Sequence, residues 1–146
     1  MTRRSPARLN DELASARRRA GRDHAGSVMS NTKWHLVFDL LANPEVAIQQ
    51  IIVKFVGIEG EQRTTVPWNY GPREFIYSRE YGPYPIVALE WIEVPIEAML
   101  PGVDGIPAKR IAQDVGRVRA SIAMTGKQFV LEETERGLRI IGHLKR

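Results

Sequence analysis

The sequence predicts an α+β fold, in which a single domain has an antiparallel sheet with two helices packed on one face. Three observations predict it. A helical apolar stripe begins after residue 30, several short β-branched and aromatic runs follow it, and a second helical pattern precedes a final pair of such runs. This order of elements is typical of helices segregated to one face of an antiparallel sheet.

The first helix has a start, a buried stripe and an end. Ser30 or Asn31 can cap it, and Asn43-Pro44 ends it because the residue before a proline avoids the helical region. Its apolar residues recur at i, i+3, i+4 and i+7, which places them on one face: Trp34, Val37, Phe38 and Leu41.

Strands are expected over residues 48–58, 62–66, 74–79 and 85–94, separated by turns at Gly60 and at two Tyr-Gly-Pro tripeptides. Strict alternation along 85–94 would place Val87, Leu89 and Trp91 on one face, beneath the first helix. The second helix is predicted over 107–126, with Pro107 in its first turn. Two closing strands join at a turn near 135–137.

Composition limits the classes of function. With 146 residues, 43% of them apolar and 26% charged, one soluble domain is expected. The absence of cysteine excludes disulfides and thiolate metal sites, and a cytoplasmic location is the natural expectation. Apolar runs are far shorter than the roughly 20 residues that span a bilayer, so no membrane association is expected.

Residues 1–28 are predicted to be a disordered Arg-rich extension of a domain that occupies 29–146. They contain seven arginines, three acidic residues and few large apolar side chains. Subtracting these from the chain's 21 basic and 17 acidic residues leaves 14 of each, so the +4 net charge belongs to the extension. Nucleic-acid binding is therefore expected only through residues 1–28, aided by Lys109, Arg110 and Arg117 of the second helix.

No catalytic residue, metal site or cofactor is predicted. Neither glycine-rich phosphate-binding motif occurs, and the domain's histidines, His35 and His143, are expected at the surface. Glu90 and Glu93, three apart on a strand, should point to opposite faces. One of them is expected to form an ion pair with Arg73 or Arg79.

Residues 67–91 hold seven of the eleven aromatic residues. Phe75, Tyr77 and Trp91 fit a core. Aromatic residues at the Gly-Pro turns, together with neighbouring arginines, have the composition of an exposed binding surface. This predicted aromatic surface consists of Trp68, Tyr70, Arg73, Arg79, Tyr81 and Tyr84.

Four segments also resemble a family of small bacterial proteins known as a domain of unknown function. They are the Asn-Thr-Lys-Trp start of the first helix, REFIYSR (73–79), GPYPIVALEWIE (82–93) and ETERGLRIIG (133–142). The resemblance implies that the domain begins near Ser30 and offers no activity to transfer. The Arg-rich extension departs from the family pattern.

These observations favour a small bacterial protein that binds a protein partner, of immunity or regulator type. An alternative is an enzyme or small-ligand binder, with a pocket beside the aromatic strand formed by Glu90 or Glu93, Arg73 and Tyr77. A deep cleft enclosing one of the glutamates would favour this alternative. The second alternative is nucleic-acid binding through the Arg-rich extension.

Overall fold

The structure, a computed structural model, describes residues 6–69 and 72–145. It contains three α-helices, α1 (Pro6–Asp23), α2 (Asn31–Ala42) and α3 (Val115–Met124), and a 3-10 turn at Ile86–Ala88. Its strands, in chain order, are β1 (His24–Ser27), β2 (Ile51–Phe55), β3 (Gln62–Thr64), β4 (Phe75–Ser78), β5 (Gly82–Pro85), β6 (Leu89–Pro95), β7 (Glu97–Leu100), β8 (Lys109–Ala112), β9 (Leu131–Glu133), β10 (Gly137–Ile141) and β11 (His143–Lys145).

Five strands form the main antiparallel sheet, in the order β3-β2-β6-β10-β9. Its inner face packs against α2 and α3 and carries the apolar core, to which the three central strands contribute Ile51, Val53, Ile92, Val94, Leu138 and Ile140. The predicted α+β class with α2 and α3 on one face is confirmed.

Three two-stranded sheets surround the main sheet: β1 with β11, β4 with β5, and β7 with β8. The predicted pairing of β2 with its returning strand β3 is confirmed, with Ile51 opposite Thr64. The predicted closing turn joins β9 to β10, where Leu138 lies opposite Glu133.

Helix α2 matches its sequence signals. The Ser30 side chain accepts a hydrogen bond from Lys33 N, and the helix ends at Ala42, immediately before Asn43-Pro44. All four residues of the predicted stripe are buried: Trp34, Val37, Phe38 and Leu41.

The segment predicted to be disordered differs in the structure. Pro6–Asp23 is a helix that packs against β5 and the 3-10 turn, and β1 pairs with β11. Leu9, Leu13, Ala16 and Ala20 recur at helical spacing; the two alanines are buried and the two leucines are half-buried. A narrow stripe of two leucines and two alanines therefore faces the body. Residues 1–5 lie outside the described residues.

The second helix begins eight residues later than predicted. Asp114 caps α3 by accepting a hydrogen bond from Arg117 N, and the preceding residues form the β7–β8 hairpin. Val118 and Ile122 are buried as expected, whereas Ile111 lies on β8. The hairpin forms because Val103 and Ile106 bridge a two-residue turn whose central residues, Asp104 and Gly105, both have positive φ.

Alternation along residues 85–94 is interrupted twice. The 3-10 turn takes up Ile86–Ala88, and a bulge at Glu90 leaves Lys54 opposite Trp91 and Phe55 opposite Leu89. Leu89 therefore joins the helix-covered core, while Trp91 lies on the other face of the sheet with Lys54. The prediction that Val87, Leu89 and Trp91 share a face is wrong for this reason.

Candidate functional site

The structure divides the predicted aromatic surface. Trp68 is 41% exposed, Tyr81 is nearly as exposed, and Arg73 and Arg79 are exposed. Tyr84 is buried, and Tyr70 lies outside the described residues. Trp68, Arg73, Arg79 and Tyr81 therefore remain accessible, and Tyr84 does not.

Tyr81 and Tyr84 flank the ring of Phe55, each edge-on, at centroid distances of 5.9 and 5.3 Å. They line a depression of about 260 Å³ together with Ser15 and Arg19 of α1. Burial raises the pKa of the Tyr84 phenol well above its usual range. The chain's own N-terminal helix thus lies beside this part of the predicted surface.

The loop that carries Trp68 is fastened to α2 by a polar network. His35 Nδ1 contacts Asn69 Oδ1, and His35 Nε2 lies 2.8 Å from the carbonyl oxygen of Arg73. Asn69 Nδ2 donates to Asp39 Oδ1 at 2.6 Å. His35, expected at the surface, is half-buried and positions the loop instead.

Glu90 is buried in a cluster of ionisable side chains. Its Oε1 lies 3.1 Å from His24 Nε2 and 3.7 Å from Lys54 Nζ, and the His24 ring lies 5.6 Å from that of His143. His143 Nε2 donates to the carbonyl of Val87 at 2.8 Å, and burial lowers its pKa. His143 is thus a buried residue, contrary to the expectation that it lies at the surface.

Glu93 is fully buried and receives donors on both oxygens. Oε1 accepts from Arg139 Nε at 2.8 Å and from Thr134 Oγ1 at 3.2 Å, and Oε2 contacts Arg136 Nε. The Arg139 guanidinium also lies over the Trp91 ring, 3.9 Å from its centroid. Glu61 pairs with the same two arginines, which extends the network to the surface.

Neither glutamate pairs with Arg73 or Arg79, so that prediction is wrong. The partners of Glu90 come from β1 and β2, and those of Glu93 come from the β9–β10 hairpin, which lies beside β6 in the main sheet. Both oxygens of Glu93 are occupied by arginine donors, and the side chain is fully buried. These contacts favour a structural role for Glu93 over acid–base chemistry.

The β7–β8 hairpin, residues 96–112, carries several exposed large apolar side chains, and we call it the arm. Val103 is 59% exposed, Ile106 56% and Met99 43%, and residues 101–110 are all exposed. Ala98 is fully buried on the inner side of the ribbon, while Met99 pairs with Arg110 on its outer side. The distal half of the arm therefore stands in solvent.

The base of the arm is held by two buried amide side chains. Gln50 Oε1 accepts from Met99 N at 2.8 Å, and its Nε2 donates to Met99 O at 2.9 Å, as a neighbouring strand would. Gln113 Nε2 donates to the carbonyl oxygen of Pro95, the residue that precedes the arm, at 2.9 Å. The arm consequently leaves the body in a defined direction.

Sequence reasoning missed the arm, although a signal for it was present. Val-Asp-Gly-Ile is an Asp-Gly pair flanked by β-branched residues, which is a strong short-range hairpin pattern.

The rest of the described chain offers no metal site or membrane span. Among residues 6–69 and 72–145, no three His, Asp or Glu side chains are grouped as around a metal ion. Within the same residues, no helix has the length and apolar character needed to cross a membrane.

In comparisons with protein-family models, curated proteins and solved structures, the chain has no significant match. The resemblance to a family of unknown function therefore stays a prediction.

Proposed function

We propose that this protein acts by binding a protein partner, with the arm as its principal contact surface. The observation that carries the proposal is the exposure of Met99, Val103 and Ile106 together on one ribbon. Single exposed apolar residues are ordinary, but a group of them on a projecting element marks an interaction site.

The chemistry of the arm suits a protein interface. The apolar residues are bordered by charged ones, Glu97, Lys109 and Arg110, with Arg110 Nη1 3.4 Å from Glu97 Oε1. An apolar centre with a polar rim is the usual arrangement of such interfaces. The charged rim also keeps the ribbon from pairing indiscriminately with other strands.

The arm is also ordered before it binds. Its turn is closed by hydrogen bonds in both directions between Val103 and Ile106, at 3.1 and 2.8 Å, and Pro101 and Pro107 restrict the chain on either side. A preformed contact surface loses less conformational entropy on binding than a flexible loop does.

The exposed part of the predicted aromatic surface is a second contact region in this proposal. The ring of Trp68 packs against that of Tyr77, with 4.9 Å between their centroids. Arg79 follows Tyr77 by two residues in the chain. A protein of immunity or regulator type acts by binding its partner and needs no catalytic group. The two buried glutamates, Glu90 and Glu93, are both paired with basic side chains, which agrees with such a role.

Quantitative co-purification tests the proposal. Met99→Asp/Ile106→Asp places two charges at the centre of the arm, and Met124→Asp is the matched control because Met124 is 88% exposed on α3. The proposal expects a specific partner recovered with the wild type and with Met124→Asp, and lost with the arm variant. Equal recovery from the wild type and both variants would contradict it.

A further inference from the structure

Helix α1 presents an arginine-rich face to solvent. Its buried stripe contacts the body, whereas Arg8, Arg17, Arg18 and Arg22 are all exposed. Residues 1–28 contain no lysine. Arginine is the residue that recognises phosphate with a planar, two-pronged donor set, whereas lysine presents a point charge.

The charges in the last two turns of α1 are not neutralised within the described chain. Arg8 has Glu12 at 3.8 Å, but none of Arg17, Arg18, Arg19 and Arg22 forms an ion pair with a described residue. Arg19 Nη1 donates to Ser15 Oγ at 2.7 Å, while its Nε is buried and makes no hydrogen bond in residues 6–69 and 72–145.

Three of these arginines line one depression of about 570 Å³, together with Ser15 and Gly21. Among the described residues, no carboxylate lines it. Arg18 and Arg22 are one helical turn apart, so their backbones are separated by roughly 6 Å along the helix axis. This depression, defined by Ser15, Arg18, Arg19, Gly21 and Arg22, is called the arginine cleft.

We propose that the arginine cleft binds successive phosphates of a nucleic-acid backbone, without reading its sequence. An anionic ligand suits the cleft because its described lining is cationic and includes no carboxylate. A polymer fits better than a single phosphate, since the exposed arginines extend from Arg8 to Arg22 along the helix. The chain's net charge of +4 lies in residues 1–28. Such binding works by counterion release.

Fluorescence anisotropy with a labelled duplex of arbitrary sequence, titrated between roughly 50 and 200 mM salt, tests the proposal. Arg18→Ala/Arg22→Ala should weaken binding roughly tenfold or more at low salt and reduce the slope of log affinity against log salt by about two. Arg119→Ala/Lys127→Ala removes the same charge from exposed positions of α3 and the residues after it, and should leave both quantities unchanged.

Two further measurements make the result decisive. Arg18→Lys/Arg22→Lys keeps the charge and should retain the salt slope, and thermal unfolding of every variant should match the wild type because the replaced side chains are exposed. An equal loss in the α3 control, or no duplex binding by the wild type at 50 mM salt, would overturn the proposal. Binding of inorganic phosphate alone as tightly as the duplex would also overturn it, in favour of a small-phosphate site.

Discussion

The side chain of Gln113 hydrogen-bonds the main chain of Gln50 in both directions. Its Nε2 donates to Gln50 O at 3.0 Å, and its Oε1 accepts from Gln50 N at 3.1 Å and from Gln49 N at 2.8 Å. Gln113 is buried, so these contacts take place away from water. One amide, two residues before the start of α3, thus holds the residues that immediately precede β2, at the base of the arm.

Gln113→Ala should therefore destabilise the fold far beyond its lost volume. It leaves the backbone N–H and C=O of buried Gln50, and the N–H of Gln49, without these partners. The free energy of unfolding should fall by about 2–3 kcal/mol. Gln128→Ala, at an exposed glutamine, is the matched control. Urea denaturation measures both, and equal midpoints for the two variants would contradict this role.

Glu93→Gln should destabilise the outer face of the main sheet. The amide cannot satisfy Arg139 and Arg136 together, and the expected loss is about 1.5–3 kcal/mol, moderated because both arginines are partly exposed. Glu132→Gln breaks only a 3.4 Å contact to Arg139 at an exposed position and should cost less than about 1 kcal/mol. Thermal unfolding of the pair distinguishes them, and similar melting temperatures would mean that the buried network contributes little.

The packing of α1 on the body can be tested by placing an aspartate at a buried position and at an exposed position of the helix. Ala16 is fully buried, so Ala16→Asp should lower the free energy of unfolding by about 1–3 kcal/mol. The loss cannot exceed the free energy that the packing of α1 contributes to the fold. Ala7 is exposed in the first turn, where a negative charge favours the helix, so Ala7→Asp should be neutral. Equal melting temperatures for the two variants would mean that α1 does not pack on the body.

Acid should weaken the fold through His143. Burial lowers the pKa of His143 below its ordinary value of 6.5, and the charged groups that face it are His24 and Glu90. As the pH falls through about 6.5, the unfolded chain therefore takes up a proton at His143 that the folded chain does not. Stability is therefore fully present above that pH and falls as pH drops toward the folded pKa, at up to about 1.4 kcal/mol per pH unit. Denaturation at pH 5 to 7.5 should show a shallower dependence for His143→Gln; an identical dependence would exclude His143 as the source.

Local signals predicted local structure well. Ser30 and the Trp34–Leu41 stripe were sufficient for α2, because a cap and a 3.6-residue period are properties of adjacent residues. The arm was missed because Pro107 and the spacing from Ile111 to Ile122 also fit a helix, and the closing of the turn by Val103 and Ile106 decides otherwise.

Contacts between distant residues could not be predicted. His24 meets Glu90 across 66 positions, and Glu93 meets Arg139 only because β10 lies beside β6. The low apolar content of residues 1–28 predicted disorder, since composition says nothing of a preformed surface that alanines can pack on. The burial of Tyr84 has the same origin, because Phe55, the ring on which it packs, lies on a different hairpin.

Site-specific photo-cross-linking tests most directly whether the arm is a protein-binding surface. A photoreactive amino acid replaces Ile106 at the tip of the arm, or Met124 on α3 as a control that is even more exposed. Adducts are identified by mass spectrometry after irradiation in the cells that produce the protein. The account predicts a discrete adduct with one protein from position 106 and none from position 124. No adduct at 106, or the same adducts at both positions, would contradict it.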